Sequence, residues 1–181
     1  AWGLASNGIA VLRYEKRTTT HAQRIAGLTT LTTKEEVIDD ALAAVKAAQR
    51  VPGIRRDRVF VLGHSLGGML APRIGAADPS IAGLVVMAGA VRSLEQSILD
   101  QTRYLVNLDG TISPAEQSQL DAVTALAEKV KTLEPGDPPV TAGGISAPAS
   151  YFLDLRGYNP PEAARPLKQG LLVLQGERDY Q

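Results

Sequence analysis

Four short runs of almost unbroken apolar residues, at 8–14, 58–63, 81–88 and 170–176, set the frame for this 181-residue chain. A strand covered on one face alternates polar and apolar residues. A continuous apolar run of this length suits a parallel strand covered on both faces. Between the first two runs, Val37, Ile38, Ala41, Leu42, Val45 and Ala48 recur at helical spacing. Thr33-Lys34-Glu35-Glu36 before them is a capping-box pattern, and Val51-Pro52-Gly53 ends the helix. A second helix is expected over residues 69–77, with Pro72 in its first turn or kinking it. Residues 15–33 are polar and rich in Thr and read as a loop. Strands alternating with helices predict an α/β fold with a mostly parallel sheet.

Residues 92–165 have a different character. Residues 93–108 read as an amphipathic helix with Leu94, Ile98, Leu105 and Leu108 on one side. A second helix opens at Ser113-Pro114-Ala115-Glu116, where Ser113 caps, Pro114 takes the first helical position and Glu116 completes a capping box. Its apolar stripe is Leu120, Val123, Ala127 and Val130. Residues 134–150 are rich in Pro and Gly and read as loop. A segment this long is no simple crossover. It reads as a helical cap inserted into a core formed by residues 1–91 and 166–181.

Composition excludes several classes. Nineteen basic residues balance nineteen acidic ones, so no cationic excess marks a nucleic-acid or anionic-membrane surface. No stretch approaches the roughly 20 apolar residues that span a bilayer. There is no cysteine, which excludes disulfides and thiolate metal sites but does not choose between the cytoplasm and an exported location.

The chemistry concentrates at Gly63-His64-Ser65-Leu66-Gly67, a G-x-S-x-G directly after one predicted strand and before a predicted helix. Such a turn projects the Ser65 hydroxyl out of the sheet. Glycines at 63 and 67 are expected to give room that a Cβ would fill. The helix N-terminus brings N–H groups and a positive dipole end to a reacting carbonyl, and the Leu66 N–H is the expected oxyanion donor. The alternative is a glycine-rich strand-to-helix turn without a nucleophile.

Gly63-His64-Ser65-Leu66-Gly67-Gly68 resembles the nucleophile elbow of α/β-hydrolases, within them bacterial esterases near the dienelactone hydrolase and serine aminopeptidase-like groups. Residues 9–17 resemble the family's fourth strand and its turn, with Glu15 where an Asp is often found. Residues 172–179 resemble the seventh strand and the loop that carries the catalytic acid. The resemblance implies a triad in the order Ser, acid, His, with Asp179 as acid. Glu177 is the competing candidate, and Asp179 can also be read as an ordinary turn residue.

The resemblance also implies a histidine after Asp179, and the sequence holds only His21 and His64. His64, beside the nucleophile, is expected to pack beneath the turn, and His21 to be exposed. The second oxyanion donor and a strand between residues 9–14 and 58–63 would precede Ala1. The expectation is therefore a core truncated at both ends. Alone it would be poorly stable, self-associate through unpaired strands, or rearrange.

The implied activity is carboxylic ester hydrolysis on a small-molecule substrate, with no metal or organic cofactor. Tyr151 and Phe152, with Tyr104 and Tyr158, are candidate pocket-lining residues. Arg92 and Arg156 could bind an acidic substrate group or form structural ion pairs. The rivals are a thioesterase or peptidase using the same site, and a non-catalytic binding module of the same fold.

Overall fold

A computed structural model describes residues 1–25, 28, 30–142, 145–177 and 179. The described strands are β1 (Phe60–His64), β2 (Gly83–Met87), β3 (Val140–Ala142), β4 (Ile145–Ala147) and β5 (Gly170–Leu174). β1, β2 and β5 form an all-parallel sheet with β2 in the middle. β3 and β4 pair as a separate antiparallel hairpin inside the region read as Pro/Gly loop. That correction is physical: Val140, Thr141 and Ile145 favour strand locally, while the surrounding composition does not.

Single-turn helices α1 (Trp2–Ala5), α2 (Arg17–Thr20) and α3 (Ala22–Ile25) occupy the first part of the chain, so the expected loop over 15–33 contains helical turns. α4 (Asp39–Arg50) is entered through a π-helical turn, Lys34–Ile38. Half of a capping box forms one residue earlier: Glu35 Oε2 accepts from the Thr32 N–H at 2.9 Å and from the Thr32 hydroxyl, while that hydroxyl oxygen accepts from the Lys34 N–H at 3.2 Å. Thr33, the expected cap, is fully buried and turned to another partner.

α5 (Leu66–Ala77) starts directly after Ser65, three residues earlier than expected, and carries Pro72 in its interior. α6 (Leu94–Val106) and α7 (Pro114–Lys131) pack on each other through Leu99, Val123 and Ala127. The box at Ser113 forms: its hydroxyl accepts from the Glu116 N–H, and Glu116 accepts from the Ser113 N–H at 2.8 Å. α8 (Ala149–Leu155) and α9 (Pro160–Ala164) return the chain to β5.

Parallel register puts Val61, Leu84 and Leu171 on one sheet face and Leu62, Val85 and Leu172 on the other. α4 and α5 cover β1 and β2 on the first face, burying Ile38, Ala41, Val45, Ile74 and Leu84 in one cluster. The second face is open, with Phe60 at 60% and Leu172 at 53% exposure. β5, expected to be buried, is exposed along its length.

Residues 9–14, also expected as a buried strand, carry no secondary structure, and Ile9, Val11, Leu12 and Tyr14 are exposed. Neither they nor any other described segment pairs with the outer edge of β1. A strand is made by its neighbours as much as by its own residues, because its N–H and C=O groups need partners.

Candidate active site

The sheet register aligns the ends of all three parallel strands: His64, Met87 and Leu174 stand side by side. Ser65 follows β1 and Asp179 lies five residues beyond β5, at the same end of the sheet. β2 runs between them, so the two parent strands stand about 10 Å apart.

Ser65 takes φ +54° and ψ −118°, outside the ordinary regions for an L-residue, and is the N-cap of α5. Such a conformation costs about 1–3 kcal/mol and persists only where its surroundings impose it. Those surroundings are visible. The Ser65 N–H donates to the Met87 carbonyl at 3.0 Å, and the Ser65 carbonyl accepts from the Met69 N–H at 2.9 Å. A Cβ on Gly63 would lie 2.1 Å from the Gly67 carbonyl oxygen.

Gly67 itself has open space around its missing Cβ, contrary to expectation. The second close approach is made by Gly68, whose Cβ would lie 3.0 Å from the Gly89 Cα. The loop after β2 thus seats against the first turn of α5. Ala88 in that loop also has positive φ, +47°, and its N–H donates to the Leu174 carbonyl at 2.9 Å.

The Leu66 N–H heads α5 and takes no acceptor among the described residues. The Ser65 hydroxyl likewise makes no hydrogen bond among them. Asp179 is half-buried and its N–H donates to the Gly176 carbonyl at 3.1 Å, whereas Glu177 is exposed. His64, expected to pack beneath the turn, is exposed, because its side chain projects from the open sheet face with Leu62. His21 is exposed at the end of α2.

The expected lining residues fall elsewhere. Phe152 is 2% exposed, packed with Leu126, Val130 and Leu133. Tyr151 is 6% exposed and donates to Glu36 Oε2; burial, with the Glu36 charge, pushes its phenol well above the usual range. Both stand inside packing clusters rather than on an open wall. Tyr104 is exposed. Arg92 pairs with Asp100 at 2.7 Å. Arg156 donates to the Val130 and Leu133 carbonyls at 2.6 and 2.8 Å, closing the C-terminal end of α7.

Sequence reading missed a polar cluster behind the elbow. Arg73 on α5 donates from Nη1 to Asp154 Oδ2 at 3.1 Å and from Nη2 to the Asp154 carbonyl at 2.9 Å. Thr33 donates its N–H and hydroxyl to the same carboxylate. Tyr158 lies beneath the guanidinium, 4.0 Å from ring centre to Arg73 Cζ. Burial pushes its phenol up to about 12, against the lowering effect of Arg73. The one available signal was an arginine among apolar residues of a helix.

A cavity of about 820 Å³ lies elsewhere, between residues 12–35 and α4, and its lining includes neither Ser65 nor Asp179. A crevice at the carboxyl ends of parallel strands is the physically expected place for a ligand in such a sheet, so the strained serine, not cavity size, marks the candidate site.

A parallel sheet with helices packed on one face, and a strained serine between strand and helix, fits an α/β-hydrolase core. The chain belongs to the Hydrolase_4 family, serine aminopeptidase S33, whose family model matches residues 1–180. It is 44% identical over 184 aligned residues to esterase EstD of Thermotoga maritima, covering 100% of this chain and 40% of that protein. It is 29% identical over 123 residues to a monoacylglycerol lipase of Mycolicibacterium smegmatis, covering 66% of this chain and 44% of that protein. The chain thus spans less than half the length of either relative. Among solved structures, the α/β hydrolase GrgF of Penicillium superposes with TM-score 0.43 at 15% identity, over 83% of this chain and 66% of that one.

Proposed function

We propose that this chain carries the nucleophile and the acid of a serine hydrolase that cleaves carboxylic esters. The observation that carries the reading is the strained backbone of Ser65 at the strand-to-helix junction. The esterase and lipase names of the two relatives support esters as the substrate class. Ser65 Oγ attacks the ester carbonyl, and the Leu66 N–H stabilises the oxyanion. A histidine held by Asp179 takes the serine proton and passes it to the leaving alcohol. Water then cleaves the acyl-enzyme by the same route.

That base is neither His21 nor His64. His64 projects from the open sheet face, and no hydrogen bond joins either histidine to Ser65 among the described residues. The 181-residue chain alone is therefore expected to give only background turnover. The test measures p-nitrophenyl acetate hydrolysis by this chain and by one continued through the reading frame downstream of Gln181, each beside Ser65→Ala. Serine-dependent turnover in the continued chain alone supports the reading. Serine-dependent turnover in the short chain refutes the assignment of the base.

The family description favours one second reading, peptide hydrolysis on the same serine. Aminoacyl p-nitroanilides compared with p-nitrophenyl esters separate the two. A continued chain that turns over neither would leave a non-catalytic binding module.

A further inference from the structure

Pro72 interrupts α5 seven residues after the nucleophile position. It has no N–H, so the Gly68 carbonyl loses its helical donor, and its ring crowds the preceding turn. Gly68 is also the residue that seats against Gly89. The first turn of the helix that holds Ser65 is thus weakened where the elbow most needs a fixed geometry. An outside donor reaches this turn: the Tyr158 hydroxyl donates to the Met69 carbonyl at 2.9 Å. Met69 in turn donates its N–H to the Ser65 carbonyl.

Tyr158 is itself held. Arg73 stacks on its ring, and Arg73 is fixed by Asp154 and Thr33. The ring packs against the cluster of Met69, Leu70, Tyr151 and Leu155. The Arg73 backbone N–H also lies close enough to the hydroxyl to act on its ionisation. The hydroxyl thus bonds the carbonyl next to the one that Pro72 leaves without a donor, and a side chain inserted at the i→i−4 ladder is a recognised determinant of local helix geometry.

We infer that Tyr158 is a positioning residue for Ser65, acting through the Met69 carbonyl to fix the first turn of α5. The inference rests on reading Ser65 as the nucleophile only for what the positioning serves; the mechanical claim stands apart from turnover.

The chain supplies its own probes. It has only two methionines, Met69 and Met87, and they hold the elbow from opposite sides through the Ser65 carbonyl and N–H. Labelled with ¹³C at the methionine methyls, the full chain gives two signals. In Tyr158→Phe, which keeps the ring and removes the hydroxyl, both signals shift. Hydrogen exchange in the peptide covering residues 63–71 rises about five- to tenfold, the factor for one lost hydrogen bond. Phe152→Leu, which loosens the α7–α8 cluster without touching α5, leaves both readouts unchanged.

A shift of Met69 alone, or no change in exchange at 63–71, overturns the inference. Equal effects from Phe152→Leu do so as well, since Tyr158 would then be ordinary packing. Neither readout involves turnover, so an idle Ser65 would show in the hydrolysis test and not here.

Discussion

A Cβ on Gly63 would fall 2.1 Å from the carbonyl oxygen of Gly67, inside any permitted contact. The strand before Ser65 and the helix after it therefore close on one another only because residue 63 has no side chain.

Gly63→Ala should accordingly force the turn open, at a cost of about 3 kcal/mol or more, since backbone atoms on both sides must move. Gly67→Ala should instead raise stability by about 0.5–1 kcal/mol, because it lies in a helix with open space at its missing Cβ. Urea unfolding of the two variants checks the contrast.

The Arg73–Asp154 pair is about one-quarter exposed on both sides. Asp154→Ala leaves a partly buried guanidinium without its carboxylate and should cost about 1.5–3 kcal/mol in urea unfolding. Asp154→Leu combined with Arg73→Met should recover part of that loss, because both charges leave together.

Burial raises the Tyr158 phenol to about 12. An unfolded tyrosine ionises near 10, so the folded state holds this proton more tightly. The resulting stability is full below pH 10 and is lost as pH rises from there through about 12. Tyr158→Phe should flatten that part of the stability curve, measured by urea midpoints at intervals between pH 9 and 12.

The open sheet face presents Phe60, Leu62, Leu172 and Leu174 together. An apolar patch of this kind promotes association. Sedimentation velocity of the 181-residue chain should show self-association that weakens in Leu62→Lys and Leu172→Lys. An unchanged distribution in both variants would place the contact elsewhere.

What the sequence made legible was local. The strained turn at Ser65 and the box at Ser113 each depend on residues a few positions apart. Residues 9–14 misled because an apolar run states a need for burial without naming a neighbour. The buried side of α6 was hidden for another reason. Ser97 and Thr102 lie on it, each donating to a carbonyl four residues back, so a stripe drawn through apolar residues chose Leu105 and Leu108, which are exposed. Gly68 was overlooked because the Gly89 that it meets arrives from the far end of β2. The Arg73–Asp154 contact spans 81 residues, and nothing near either residue foretells the other.

The central claim is that Ser65 is the nucleophile. Its most direct test is p-nitrophenyl acetate hydrolysis by the chain continued downstream of Gln181, beside its Ser65→Ala variant. The account predicts turnover by the parent and a loss of about a thousandfold or more in the variant. Turnover that survives Ser65→Ala would contradict it.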